Sequence, residues 1–155
     1  MTLAVTSPIT GGAQTGFTSP TYTVTQDVAP AANGKQWAVT ALGGTQTGVT
    51  THSVSVPFTV SLWRPLLMKL LPKANPITGV IKNIPVNVYK AIVRKGLLPA
   101  ANQTPEIGTV NVSVTVPAGA ETYDIANVRA MISAAVGTLN QISAGLGDTV
   151  NTGIS

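Results

Sequence analysis

The sequence predicts an α+β protein: an N-terminal arm or hairpin, an antiparallel five-stranded meander sheet, and a C-terminal helix followed by a short second helix. Two observations carry this. In GTVNVSVTVP, residues 108–117, Val110, Val112, Val114 and Val116 alternate with Asn111, Ser113 and Thr115, the period-two signature of a half-buried strand. Past Pro117 and Gly119 the period changes, and Ile125, Val128, Ile132, Ala135 or Val136, Leu139 and Ile142 recur at spacings of three and four. That is an amphipathic helix. The regular patterns upstream are all of the first kind, so helix follows a run of five or six strands.

Taken in order, residues 1–20 are rich in Thr, Gly and Pro and predict an irregular arm or weak hairpin around Gly11-Gly12, the N-terminal arm or hairpin region being 1–30. TYTVTQDV sets Tyr22 and Val24 against Thr23 and Thr25, a strand stopped by Pro30. Asn33-Gly34 is a turn signal because both residues accept positive φ. Trp37, Val39 and Ala41 continue as the next strand, to Gly43-Gly44. THSVSVPFTVSLW is the longest alternation: Val54, Val56, Phe58, Val60 and Leu62 oppose Ser53, Ser55, Thr59 and Ser61. It predicts a long strand with one solvated face, disturbed at Pro57, which cannot donate to a ladder.

From Arg64 to Pro85 alternation fails. This stretch has four prolines and holds Arg64, Lys69, Lys73 and Lys82, four of the nine basic residues, and its LLMKLL core fits a short helical turn or an extended apolar flap equally well. VNVYKAIVRKG resumes as a strand, with Tyr89, Ala91 and Val93 on one face and Lys90, Ile92 and Arg94 on the other. Residues 97–107 form a Pro-bearing loop. In the helical region, 120–155, Thr122 is the expected N-cap with Glu121 and Asp124 favouring the positive helix end. Gly137 weakens the helix interior by about 1 kcal/mol against Ala, which close packing would explain, and Gly145 and Gly147 are the expected stop.

Composition narrows function. The 155 residues suit a single domain, 1–155, with a real core. Nine basic and five acidic residues beside 44% apolar ones leave a surface that must tolerate losing water, and contact with other copies is the simplest cause. There is no cysteine, hence no disulfide or thiolate metal site. Met1 to Gly12 lacks a secretory signal pattern and no apolar run approaches the roughly 20 residues of a membrane span, so a soluble intracellular product is expected. The formal charge of +4 becomes considerable when many copies turn one face into an enclosed volume, where it attracts a polyanion.

Enzyme chemistry finds no footing. His52 is the sole histidine, no Gly-x-Ser-x-Gly elbow or phosphate loop exists, and the five carboxylates are scattered at no acid/base or metal-ligand spacing. No catalytic residue, cofactor, metal or small-molecule substrate is therefore expected. Zinc-finger and aromatic RNA-binding signatures are also missing. What stands out is a sheet face with Lys90, Arg94, Asn111, Ser113, Ser55 and Thr59: cations for phosphate, amide and hydroxyl groups for base edges. An ordinary solvated strand face has the same composition.

TVNVSVTVP followed by a loop and IANVRAM resembles the last strand and first helix of levivirus-type coat (capsid) proteins, those of single-stranded RNA bacteriophages. Val128-Arg129-Ala130-Met131 matches their Val-basic-Ala-Met run, and Asn151 to Ser155 is similar to an Asn-Ser-Gly-Ile-aromatic ending, with Ser at the last place. Upstream, Asn33-Gly34 with Trp37, and Tyr89-Lys90, resemble a turn and a strand start of the same family. These matches span nearly the whole chain in the right order.

The resemblance implies an interlocked homodimer with a continuous ten-stranded sheet, each helix pair reaching across its partner, and many dimers closing into an icosahedral shell around single-stranded RNA. It implies a dimer core of Ile125, Val128, Ile132 and Leu139, and RNA-facing residues Ser55, Thr59, Lys90, Arg94, Thr109, Asn111 and Ser113, with an RNA hairpin as one possible ligand. Thr109 stands where well-studied members have a base-stacking tyrosine and Ser113 where some have an acid, so sequence-tolerant packaging is implied more strongly than hairpin specificity. Residues 63–86 look like an insertion between two sheet strands, an extra projection or inter-subunit contact, and the loop 97–107 is placed at contacts between dimers. The expected location is the virion, assembled in the host bacterial cytoplasm. Two other classes fit the residues: a different self-assembling β-rich subunit of a filament or tail tube, and a small monomeric domain holding an acidic ligand in the basic 64–82 flap.

Overall fold

The structure, a computed structural model, describes residues 3–154; Ser155, where the chain departs from the aromatic ending, lies outside them. Six strands run in sequence order through one antiparallel sheet: β1 (Ile9–Thr10), β2 (Thr18–Asp27), β3 (Gly34–Thr45), β4 (Phe58–Trp63), β5 (Val86–Leu97) and β6 (Glu106–Pro117). Five are the expected meander, and β1 is the hairpin of the arm, paired through Ile9 with Tyr22 and Thr10 with Thr21. Three helices follow, α1 (Ala120–Tyr123), α2 (Ile125–Gln141) and α3 (Ser143–Thr152).

The alternation read from sequence sorts the two sheet faces. Val24, Trp37 and Val39 form a buried cluster with Ile9, Tyr22, Leu42, Phe58 and Leu62 packed around it. Tyr22 meets Phe58 edge to face, centroids 5.6 Å apart, and Lys95 lies over the Phe58 ring at 5.0 Å. Burial holds the Lys95 amine below its usual range, and its Nζ donates to the Thr50 carbonyl and hydroxyl at 2.9 and 2.7 Å. Thr25, Gln36, Thr59 and Arg94 belong to the opposite, polar face, because residues paired across an antiparallel ladder share a side.

Several local expectations are corrected. The fourth strand begins only at Phe58. Pro57 has no N–H to continue the ladder, the Phe58 N–H goes to His52 Nδ1 at 3.0 Å, and the Ser53 hydroxyl accepts the Val56 N–H at 3.0 Å, curling residues 53–56 into a turn that leaves Val54 fully exposed. Neither Asn33 nor Gly34 adopts a positive φ. Instead Asn33 anchors the chain after β4: its Nδ2 donates to the Arg64 carbonyl at 2.8 Å and its carbonyl accepts the Arg64 N–H at 3.1 Å. The strand β3 runs through Gly43-Gly44 rather than ending there, with Gly44 at φ +71 beside the Ser19 carbonyl.

The helical region differs too. Thr122 lies inside α1 and its hydroxyl donates to the Gly119 carbonyl, while Asp124 occupies the junction before α2 and accepts from the Asn127 amide at 2.8 and 2.9 Å. Gly145 and Gly147 sit within α3, which ends at Gly153 in the left-handed conformation. A Cβ at Gly147 would meet the carboxamide end of the Gln14 side chain, which would have to move aside. Gln14 Nε2 in turn donates to Ser143 at 2.8 Å, and the Thr15 hydroxyl donates to Asp148, so the arm holds α3. Around Gly137 no atom lies within 4 Å of a built Cβ, so packing among the described residues does not explain it.

Residues 64–85 contain neither helix nor strand. They are an extended flap whose first leg is pinned at Asn87 and whose tip is a turn in which the Asn75 carboxamide oxygen accepts the Ile77 and Thr78 N–H groups.

Candidate nucleic-acid interface

Along β5 and β6 an uninterrupted register pairs Lys90 with Ser113, Ile92 with Asn111 and Arg94 with Thr109. On the other side of β5, Arg94 pairs with Thr59 and Lys90 with Trp63. Six of the seven expected RNA-facing residues therefore share the polar face, with the two cations diagonal to Asn111. Lys90, Thr109, Asn111 and Ser113 are exposed and Arg94 is half-buried. Thr59 is on this face yet only 5% exposed. Ser55 is not on the face at all, since the strand expected to carry it starts three residues later; it is exposed in the loop before β4.

The face continues beyond what the sequence singled out. Ser61 donates to Gln36 Oε1 at 3.1 Å, and Gln36 Nε2 donates to Asp27 Oδ2 at 2.8 Å, a polar chain across β4, β3 and β2. The Gln36 bond, then the Val28 N–H, hold the Asp27 carboxyl below its usual value against a smaller opposing effect of burial. That Gln36 partners Asp27 follows from the β2–β3 register.

The opposite face is unfinished. On β6, Val116 is 3% exposed but Val110 is 62% exposed. Ile125, Ile132, Val136 and Leu139 of α2 are between 38% and 62% exposed, and α2 packs on α1 and α3 rather than closely on any strand. An open cleft of about 370 Å³ separates its first turns, Ile125, Val128 and Ile132, from Val112, Val114 and Val116. Finally, β6 is a twelve-residue edge strand. A long edge with free N–H and C=O groups is a template for another strand.

No group of three or more potential metal-ligating His, Cys, Asp or Glu side chains occurs among the described residues, and none of their helices is long and apolar enough to cross a membrane. A sheet with one polar face, one unfinished apolar face and a bare edge is the build of a structural subunit. Comparison with solved structures gives the family. The chain superposes on the virus-like particle of bacteriophage ESE020 with a TM-score of 0.96 and 59% sequence identity, covering 99% of this chain and 100% of that one. The virus-like particle of Beihai levi-like virus 32 aligns at 12% identity and TM-score 0.48 over 86% of this chain and 88% of the other. No protein-family model matches the sequence, and no curated protein does. The chain belongs to the levivirus-type coat proteins of single-stranded RNA bacteriophages.

Proposed function

We propose that this coat protein pairs through β6 into a homodimer with a continuous ten-stranded sheet, that such dimers close into an icosahedral shell, and that the polar sheet face looks inward at single-stranded RNA. The observation that carries the reading is the division between the two faces of β6: valines toward α2, Thr109, Asn111 and Ser113 away from it. The full-length likeness to a protein that forms a virus-like particle supports the shell.

Pairing at β6 would satisfy the free edge and bring a partner's apolar surface to Val110 and to the α2 stripe of Ile125, Val128, Ile132 and Leu139. Covering such side chains stabilises by roughly 25 cal/mol per Å² removed from water. Inward, Lys90 and Arg94 would meet phosphates while Asn111 and Ser113 offer hydrogen bonds to unpaired bases. With no aromatic ring at Thr109, the contact is sequence-tolerant. The loop expected over 97–107 is shorter, since β5 runs to Leu97 and β6 starts at Glu106; with Leu97 and Leu98 exposed at its start, it would lie at contacts between dimers.

Expression of the chain alone, followed by electron microscopy and nuclease treatment, tests the reading. Closed particles holding nuclease-protected RNA are expected. Filaments or rings indifferent to nuclease would replace it with the tube-subunit reading, and soluble monomers would end it.

A further inference from the structure

On the polar face, where β4 ends, a cleft of about 400 Å³ is lined by Asn33, Trp63, Arg64, Pro65, Lys90 and Ile92, together with Val88. We infer that this cleft is a nucleotide subsite, taking one unstacked base against Trp63 and Ile92 and its phosphate between Arg64 and Lys90. The inference rests on the proposed RNA-facing role of this side of the sheet, and it places an aromatic contact on a different strand from Thr109.

Two features favour a nucleotide over a structural filler. The cleft combines an indole, an aliphatic floor and two cations, the set that single-stranded nucleic acids use for stacking and phosphate contact. Its wall is fixed in advance: the two Asn33 bonds to the Arg64 backbone hold the root of that side chain at the rim, and Pro65 stiffens the chain beside it.

Trp63 also has a structural task, which the test must separate from binding. Its ring lies against Gly34, where a Cβ would come within 3.1 Å of Cε3, and Trp63 borders the helix-side cleft as well. The other tryptophan, Trp37, is 7% exposed in the core of the opposite face, so its emission serves as an internal reference.

RNA-free coat protein is titrated with a 20-nucleotide single-stranded RNA of mixed sequence while tryptophan emission and affinity are followed at several salt concentrations. Quenching of one of the two tryptophans is expected, and Trp63→Phe should abolish that quenching with affinity reduced less than in Trp63→Leu. The Leu variant should bind about tenfold more weakly, in line with the loss of one stacked base. Arg64→Gln should lower the magnitude of the salt slope by about 0.7, the value of one single-strand phosphate contact. RNA that still binds, and is weakened by Arg94→Gln, while Trp63 emission and the Arg64→Gln slope stay unchanged, overturns the subsite alone. Failure of the parent chain to bind RNA overturns the inward-face reading along with it.

Discussion

Asn87 grips the backbone of Lys69 with both ends of its carboxamide: Oδ1 accepts the Lys69 N–H at 2.9 Å and Nδ2 donates to the Lys69 carbonyl at 3.0 Å. Asn87 is 2% exposed, so the pair is sheltered from water. The first leg of the flap is thereby fastened across the start of β5 like a short extra strand. Leu71 then reaches Gly119 at the turn between β6 and α1.

Replacing Asn87 by Ala should destabilise the protein by about 1–3 kcal/mol, the usual cost of leaving buried polar groups without partners. The Lys69 amide should lose protection in hydrogen exchange while the β5–β6 ladder keeps its own. Equal protection at Lys69 in both proteins would mean that the flap is held elsewhere.

Asp27 gives a pH dependence with a definite sign. Its folded pKa lies below the ordinary value of an aspartate, so the carboxylate contributes stability above that ordinary value and loses the contribution as pH falls through the folded pKa. Urea midpoints measured from pH 6 down to pH 2 should decline less steeply in Asp27→Asn than in the parent chain. Identical acid limbs would show that the Gln36 bond is not kept in solution.

The inward face is tested by salt. Lys90→Ala combined with Arg94→Ala removes two phosphate contacts and should reduce the magnitude of the salt slope for single-stranded RNA by about 1.4. A uniform loss of affinity with an unchanged slope would count against direct phosphate contact by these side chains.

Gly137→Ala should raise stability by about 1 kcal/mol, because the glycine weakens the helix and its Cβ would enter open space. The residue falls off the apolar stripe of α2, so particle yield should be unaffected. A collapse in yield would place a neighbouring subunit against that side of the helix.

How far the chain could be read in advance follows from which interactions are local. β5 and most of β6 were legible because each alternates between two faces, although the loop expected at 97–107 hid the last residue of β5 and the first two of β6, and the sides of Lys90, Arg94 and Asn111 follow from parity. The start of β4 was not, since it depends on His52 reaching Phe58 and on the Ser53 turn, both choices between competing backbone partners. That is why Ser55 was set on the face. The flap defeated pattern reading for a related reason: its order comes from Asn87 and Asn33, residues outside it, bonding to its backbone. Helix existence was plain, but the break at Ile142 and the continuity through Gly145 and Gly147 depend on Gln14 and Thr15, more than a hundred residues away.

The central claim is that the two faces of β6 divide assembly from genome contact, with the β6 edge joining two protomers. A cryo-electron microscopy map of particles made from this chain tests it most directly. The prediction is β6 paired antiparallel to a second β6, α2 covering the valine face of the joined sheet, and density for RNA over Lys90, Arg94 and Asn111. An unpaired β6 edge, or RNA density against the helical face, would contradict it.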